Sequence, residues 1–257
     1  MAHTHKLYLL FFFCSLLSGC FFNDSKTNSK SLYVLQLISN NKAISSIRKS
    51  IKRVGNKIIA EELSLKENQE FFLGKEQQGL TVYYLNNMTE IGVKDIISSL
   101  DKLFQKKSIV APSMATISHD VDFFGDGEDE LVIKIIDQNT ELANLNNTMK
   151  EMAHALDNTY KKQHNEHLYD RALSERYSYT PHISLGRIRA HSIKDEIKDS
   201  TQKEIVLERI KQRIKKACLE IVEEALKKES TRITLEKLIL FSLAKRDVIK
   251  EYPLNGD

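Results

Sequence analysis

The sequence predicts an α+β fold of two pseudo-symmetric lobes, with mainly antiparallel sheets facing across a central cleft and helices on the outside. Apolar runs of strand length alternate with segments whose apolar residues recur at helical spacing. The order of these elements occurs twice, and in each half roughly 50 residues separate the first strand from a strand bearing a hydroxyl residue. With 257 residues, 41% hydrophobic and 28% charged, the chain is long enough to bury such a core.

The first lobe is expected to cover residues 32–125. Its strands are predicted at 32–38, 80–85 and 113–124. One helix is predicted from residue 42 to 54 by apolar spacing, and a second is expected to begin after Thr89, whose side chain can cap it. The segment GDGEDE, which follows the third strand, has the composition of a hairpin turn.

The second lobe is expected to cover residues 126–257 and to repeat this order. Strands are predicted at 131–136, 180–188 and 232–243, and helices at 142–160 and 201–228. The long helix carries an apolar stripe, which usually packs against the protein's own sheet; binding of a partner is the alternative. The repeated order indicates duplication, which would make the strands at 80–85 and 180–188 equivalent.

The first 19 residues read as a signal peptide. A basic residue, Lys6, precedes the apolar run LYLLFFFCSLL, which is too short to remain as a membrane-spanning helix. Residues 20–31 then become polar, as in a flexible tether. The folded domain is therefore expected to cover residues 32–257.

The segment Leu17-Ser18-Gly19-Cys20 resembles the lipobox of bacterial lipoproteins. That resemblance implies cleavage before Cys20, lipidation of its thiol, and a membrane-anchored protein of the bacterial cell envelope facing the periplasm or the exterior. An apolar N-terminal strand or an uncut anchor with a chance cysteine is the alternative. Cys218 would remain as the free thiol, and its helical context favours a small buried side chain over a nucleophile.

The stretch YSYTPHISLGRIR places polar side chains on one face of an apolar strand. Alternation puts His182, Ser184 and Gly186 on one side and their apolar neighbours on the other. An imidazole, a hydroxyl and a glycine together suit the close approach of a phosphate, and histidine can exchange a proton near neutral pH. The alternative is a histidine that is hydrogen-bonded for structural reasons alone.

The nine residues TPHISLGRI (180–188) resemble the second motif of the two-histidine phosphoesterases, the superfamily of the bacterial 2′-5′ RNA ligases and RNA 2′,3′-cyclic phosphodiesterases. The C-terminal LEKLILFSLAKRDVIKEYPL is similar to the closing segment of that superfamily. The resemblance covers about residues 32–253. It implies two histidine-x-threonine/serine motifs, one in each lobe, opposed across a cleft.

The resemblance places the first motif in GLTVYYL, where Thr81 supplies the hydroxyl but Gly79 stands in the histidine's position. By alternation Gly79, Thr81 and Tyr83 share one face. The implied catalytic residues are then His182, Ser184 and Thr81, with one proton-transfer group. General acid–base catalysis contributes about 10²–10⁴-fold, so weak turnover or none is expected.

Two further residues are candidates for substrate binding. Arg187 is expected to contact a phosphate and Tyr83 to stack on a base; the alternatives are a solvated strand end for Arg187 and a core edge for Tyr83. His119, on another predicted strand, is considered as a replacement for the missing histidine, although its spacing does not require this.

No metal and no cofactor are predicted. The segment around His154, His164 and His167 lacks the spacing of a zinc site. The segment containing Asp122, Asp126 and Asp129 lacks the spacing of a calcium loop and is expected to be a charged turn.

Two functions remain open at this point. One is a membrane-anchored, monomeric 2′,3′-cyclic phosphodiesterase that acts on RNA or nucleotides. The other is a catalytically inactive phosphate- or nucleotide-binding or structural lipoprotein of the same fold. The net charge of +3 provides no strong global attraction to nucleic acid, so any anion binding must be local.

Overall fold

Strands from both halves of the sequence pair in one antiparallel sheet in the computed structural model, which describes residues 30–39, 41–65, 69–74, 79–125 and 127–254. The predicted signal peptide, the predicted lipidation site Cys20 and the start of the predicted tether lie outside these residues. The strands of the described residues are β1 (Ser31–Ile38), β2 (Phe72–Gly74), β3 (Gly79–Met88), β4 (Met114–Phe124), β5 (Glu130–Ile136), β6 (His182–Ile188), β7 (Arg232–Thr234), β8 (Lys237–Ser242) and β9 (Asp247–Pro253).

Helices connect these strands. They are α1 (Lys42–Leu63), α2 (Glu90–Gln105), α3 (Glu141–His164), α4 (Arg171–Ser174), α5 (Ala190–Glu196) and α6 (Lys203–Lys228). The α+β class and the two-lobed arrangement predicted from the sequence are confirmed. The prediction that Thr89 caps α2 is also confirmed, because its side chain accepts a hydrogen bond from Gly92 N.

Strands of each half of the sequence pair with strands of the other half. The strand order is β7-β4-β5-β6-β3-β1-β8-β9, and β2 pairs with β6 beside this path. The last strand of the first half, β4, therefore pairs with β5 of the second half, while the C-terminal hairpin β8-β9 lies beside β1. The motif strands β3 and β6 are neighbours at the junction of the lobes, where Leu80 pairs with Ile183.

The single strand predicted at 232–243 is divided in the structure, and the division reveals how the sheet is curled. Leu235 N donates to Ser113 O beside β4, whereas the next residue, Glu236, donates to Ile38 O at the end of β1. Because β4 and β1 are four places apart in the sheet order, two consecutive residues can reach both only if the sheet curves strongly. Short elements α4, α5 and β2 had no signal in the sequence pattern.

The main core lies between one face of the sheet and the helices. Ile44, Ile47 and Ile51 of α1 pack in it with strand residues such as Leu80 and Ile183. Cys218 of α6 is fully buried there, and burial raises the pKa of its thiol to about 12. That environment fits the expected small buried side chain. No helix among the described residues has the length and apolar character needed to cross a bilayer.

A phenylalanine fixes the short strand β2 against both α1 and β6. Phe72 is fully buried, and its ring lies where a Cβ atom on either neighbouring glycine would be. A Cβ on Gly55 would approach the Phe72 ring to 3.0 Å, and a Cβ on Gly186 would approach it to 2.2 Å. Gly186 is therefore needed for core packing.

We predict that Gly186→Ala lowers the free energy of unfolding by about 1–3 kcal/mol, because the added methyl overlaps both the Phe72 ring and the backbone of Leu73. Urea denaturation measures this change. Gly127→Ala is the matched control, since the nearest atom to its Cβ would be 3.8 Å away. Equal stability of the two variants would contradict the packing role.

Candidate active site

A β-bulge interrupts each motif strand directly after its hydroxyl residue. In β3, Gln36 pairs with Thr81 and Leu35 with Tyr83, so Val82 is an extra residue. In β6, Val132 pairs with Ser184 and Leu131 with Gly186, so Leu185 is an extra residue. An extra residue changes which side chains point to the same face.

These bulges correct two predictions that rested on uninterrupted alternation. Beyond the bulge in β3, Tyr84 instead of Tyr83 shares the face of Thr81. Beyond the bulge in β6, Arg187 shares the face of His182 and Ser184, while Gly186 turns into the core against Phe72. We call the surface that carries these aligned residues the site face; its residues are Thr81, Tyr84, His182, Ser184 and Arg187.

The apolar packing supports this assignment. A small apolar cluster, separate from the main core, consists of Val34, Ile239 and Phe241, with Tyr84 packed against it. Val34 pairs with Tyr84 across the strands. Tyr83, in contrast, belongs to the main core. The two adjacent tyrosines therefore lie on opposite faces of the sheet.

The two motif strands are related position by position. Each hydroxyl residue is followed three positions later by the residue that the bulge brings to the site face, Tyr84 in one strand and Arg187 in the other. Two positions before the hydroxyl residue stand Gly79 and His182. The antiparallel pair Leu80–Ile183 then places Thr81 beside His182, and Gly79 beside Ser184.

His182 is held in the form that can accept a proton. Its Nδ1 lies 2.7 Å from Thr180 O, and since a carbonyl oxygen only accepts, Nδ1 carries the hydrogen. Burial lowers the pKa of the imidazole, against the smaller effects of Thr180 and of the Glu130 charge. The neutral ring then has its lone pair on Nε2, which no described residue contacts by a hydrogen bond. The Phe124 ring packs edge-on, with centroids 5.0 Å apart.

Ser184 is fixed through both its side chain and its backbone. Its hydroxyl donates to Glu130 Oε1, and its carbonyl accepts from Arg48 Nε at 3.0 Å and Nη2 at 2.6 Å. Arg48 is buried in the interior, and burial lowers the pKa of its guanidinium to about 10. Its Nη1 has no hydrogen-bond partner among the described residues. Neither Glu130 nor Arg48 was recognised from the sequence.

Thr81 interacts with two neighbouring side chains. Its hydroxyl accepts a hydrogen bond from Gln36 Nε2 at 3.4 Å, and it lies within interaction range of the Tyr84 hydroxyl. Burial, and secondarily the charge of Glu130, raise the pKa of Tyr84, so this phenol remains a hydrogen-bond donor. Glu130 thus influences the pKa of Tyr84 in one motif strand and of His182 in the other. The site-face residues of each motif strand form one half-site, and this shared influence indicates that the two half-sites are close.

Tyr83 does not have the exposure that base stacking requires. Only 4% of it is exposed. Its hydroxyl lies 3.1 Å from that of Tyr169 and donates to Glu175 Oε1 at 3.2 Å. Burial raises the pKa of Tyr83. The alternative of a core position is therefore the one that the structure supports.

Charged side chains at the edge of the site are paired with carboxylates. Arg187 Nε lies 2.9 Å from Asp129 Oδ2, and the Arg187 side chain is more than half exposed. Lys134, the cross-strand partner of His182, lies 2.7 Å from Asp120 Oδ2. The Asp129 side chain is only 17% exposed, so this ion pair has one partner at the surface and one that is mostly buried.

None of the other histidines is hydrogen-bonded to the site face within the described residues. His119 lies exposed in an irregular part of β4, and none of its hydrogen bonds within the described residues connects it to His182, Ser184 or Thr81. His154 contacts Glu175, and His167 Nδ1 lies 2.9 Å from Asp157 Oδ2. The ring of His164 packs on Tyr160.

The acidic segment considered for calcium is divided among separate contacts. Asp122 pairs with Lys215 and Asp129 with Arg187, while Asp126 lies outside the described residues. Over the described ranges, no three histidine, cysteine, aspartate or glutamate side chains are grouped to hold a metal ion.

The chain is similar in fold to two structures of Usb1 from Kluyveromyces marxianus. The first has 10% sequence identity and a TM-score of 0.52, covering 88% of this chain and 99% of Usb1. The second, Usb1 with uridine monophosphate, has 9% identity and a TM-score of 0.53 at the same coverage. At this level of sequence identity, these likenesses show that the chain shares the fold of Usb1. No protein-family model and no curated protein sequence matches the chain.

We predict that removing the hydroxyl group of Tyr83 and removing that of Tyr84 change different properties of the protein. Tyr83→Phe is expected to lower the free energy of unfolding by about 1–2 kcal/mol, because it leaves buried partners unsatisfied. For a nucleotide bound on the site face, Tyr84→Phe is expected to weaken binding about three- to tenfold, as the loss of one hydrogen bond does.

Urea denaturation and isothermal titration calorimetry measure the two effects. Each tyrosine serves as the control for the other. Weaker nucleotide binding by Tyr83→Phe than by Tyr84→Phe would contradict the face assignment.

Proposed function

We propose that this protein is a phosphodiesterase that binds a ribonucleotide on the site face and opens 2′,3′-cyclic phosphates, with His182 as general base. The observation that carries the proposal is the state of His182, whose Nδ1–H is held by Thr180 O while burial favours the neutral ring. A general base must have a free lone pair in just this form. The fold shared with Usb1, one structure of which contains uridine monophosphate, adds support.

The reaction uses the two halves of the site differently. Water attacks the phosphorus and transfers a proton to His182 Nε2, while the bond to one ribose oxygen breaks and that oxygen takes the electron pair. Hydroxyl groups of Thr81, Tyr84 and Ser184 donate hydrogen bonds to the phosphoryl oxygens. Ser184 must turn from Glu130 to the phosphate for this, and Arg187 must leave Asp129.

A second candidate is a protein that binds the same ligand without turnover. Gly79 favours it, because the glycine provides no acid for the leaving oxygen at the position equivalent to His182. The ligand class is unchanged in this case, so RNA ends and cyclic nucleotides remain the proposed partners.

The proposed location is the bacterial cell envelope. The lipobox-like segment ending at Cys20 supports a lipid-anchored protein whose domain faces the periplasm or the exterior, with the polar residues after Cys20 acting as a tether. Such a protein would meet RNA or nucleotides outside the cytoplasm and act on them as a monomer.

We predict that the protein hydrolyses uridine 2′,3′-cyclic phosphate and that His182→Ala abolishes this turnover, with a loss of about 10²-fold or more. Because burial lowers the pKa of His182, the ring becomes protonated only at a pH below the ordinary pKa of histidine. Activity should fall as the pH decreases through this lowered pKa and should be constant at higher pH. Initial rates by chromatography from pH 4 to 9 measure this.

His119→Ala is the matched control, because His119 lies outside the site face. Turnover that survives His182→Ala would exclude the proposed mechanism. Binding of the nucleotide with no turnover at any pH would support the second candidate instead.

For the anchor, we predict that labelled palmitate is incorporated into the protein in bacterial cells and that Cys20→Ala abolishes the incorporation. Cys14→Ala should retain it, since Cys14 would be removed with the signal peptide. Label in Cys20→Ala would contradict the lipoprotein proposal.

A further inference from the structure

Gln36 fills the place that a side chain on Gly79 would take. A Cβ atom on Gly79 would lie 2.8 Å from Oε1 and 2.9 Å from Cδ of Gln36. These distances are too short for unbonded atoms, so a side chain at residue 79 would require the Gln36 amide to move from its present position. Residue 79 is the position that corresponds to His182 in the other motif strand.

The Gln36 amide is also part of the site by its hydrogen bonds. Nε2 donates to the Thr81 hydroxyl. Oε1 is buried and has no hydrogen-bond partner among the described residues, an arrangement that costs free energy until a donor is supplied. The residue itself is only partly buried, and its strand pairs directly with the motif strand at Thr81.

We propose that Gln36 takes over the first half-site as a hydrogen-bond donor. Its Nε2 carries two hydrogens, of which one is directed to Thr81. The other donates to the leaving oxygen of a phosphodiester, which is hydrogen-bonded there but not protonated. The inference rests on the proposed function, since it concerns the same site. An amide has no proton to transfer near neutral pH. In the hydrolysis, His182 takes the proton from water, the P–O bond breaks, and the leaving oxygen departs as an anion that solvent protonates afterwards.

This arrangement determines which phosphodiesters are good substrates. A ribose alkoxide is a strongly basic leaving group and gains most from a protonated partner, whereas a nitrophenolate leaves without one. Wild-type protein should therefore hydrolyse uridine 5′-(4-nitrophenyl phosphate) faster than uridine 2′,3′-cyclic phosphate. The preferred substrate class is a nucleotide ester with a weakly basic leaving oxygen.

The test is the ratio of the cyclic-phosphate rate to the nitrophenyl-ester rate in variants of Gln36. Gln36→His places an imidazole in the first half-site. We expect it to raise the ratio about tenfold or more, and to change the pH profile from one that falls only at low pH to a bell-shaped one. Gln36→Leu retains the approximate size without the amide, and should lower the ratio about tenfold.

The controls separate this inference from the proposed function. If wild type has no turnover, the proposed activity fails, and the inference is upheld only if turnover appears in Gln36→His and is lost again in Gln36→His/His182→Ala. If wild type is active but both Gln36 variants change the two rates by the same factor, the inference fails alone. Should Gln36→His not fold, as judged by circular dichroism, the ratio in Gln36→Leu decides.

Discussion

The β-bulge that follows the hydroxyl residue in each motif strand is the constraint on which the site depends. If the strands continued to alternate through Val82 and Leu185 without a bulge, Tyr83 and Gly186 would lie on the site face, and Tyr84 and Arg187 would turn into the core. Phe72 would then lose the glycine against which it packs. Core packing and site composition are therefore determined by the same two irregularities.

The two half-sites are alike in backbone but differ in chemistry. The second provides an imidazole whose tautomer is fixed by a backbone carbonyl, while the first provides an amide that occupies the corresponding space. Glu130 connects them, because it accepts from Ser184 and its charge affects Tyr84 and His182. Behind the sheet, the buried guanidinium of Arg48 fixes the Ser184 carbonyl.

Sequence patterns predicted most of the elements and indicated candidate residues for one half of the site. Helical spacing and strand composition indicated most strands and the long helices, and the HISLG motif indicated His182 and Ser184 as candidates. Alternation failed for Tyr83 and Gly186, because a bulge is not visible in residue types alone. Gln36 had a signal, as the polar residue within the apolar run LYVLQLI, but its reach across to Gly79 depends on strand pairing that only the structure shows.

The most direct test of the account is the protonation state of His182 and its response to a ligand. Long-range ¹H–¹⁵N NMR spectra of the ¹⁵N-histidine-labelled protein at neutral pH report both. The account predicts a neutral His182 ring with hydrogen on Nδ1, and a shift of the Nε2 signal when uridine monophosphate is added, with His119 unaffected. A protonated or Nε2–H ring, or an Nε2 signal that does not respond to saturating nucleotide, would contradict it.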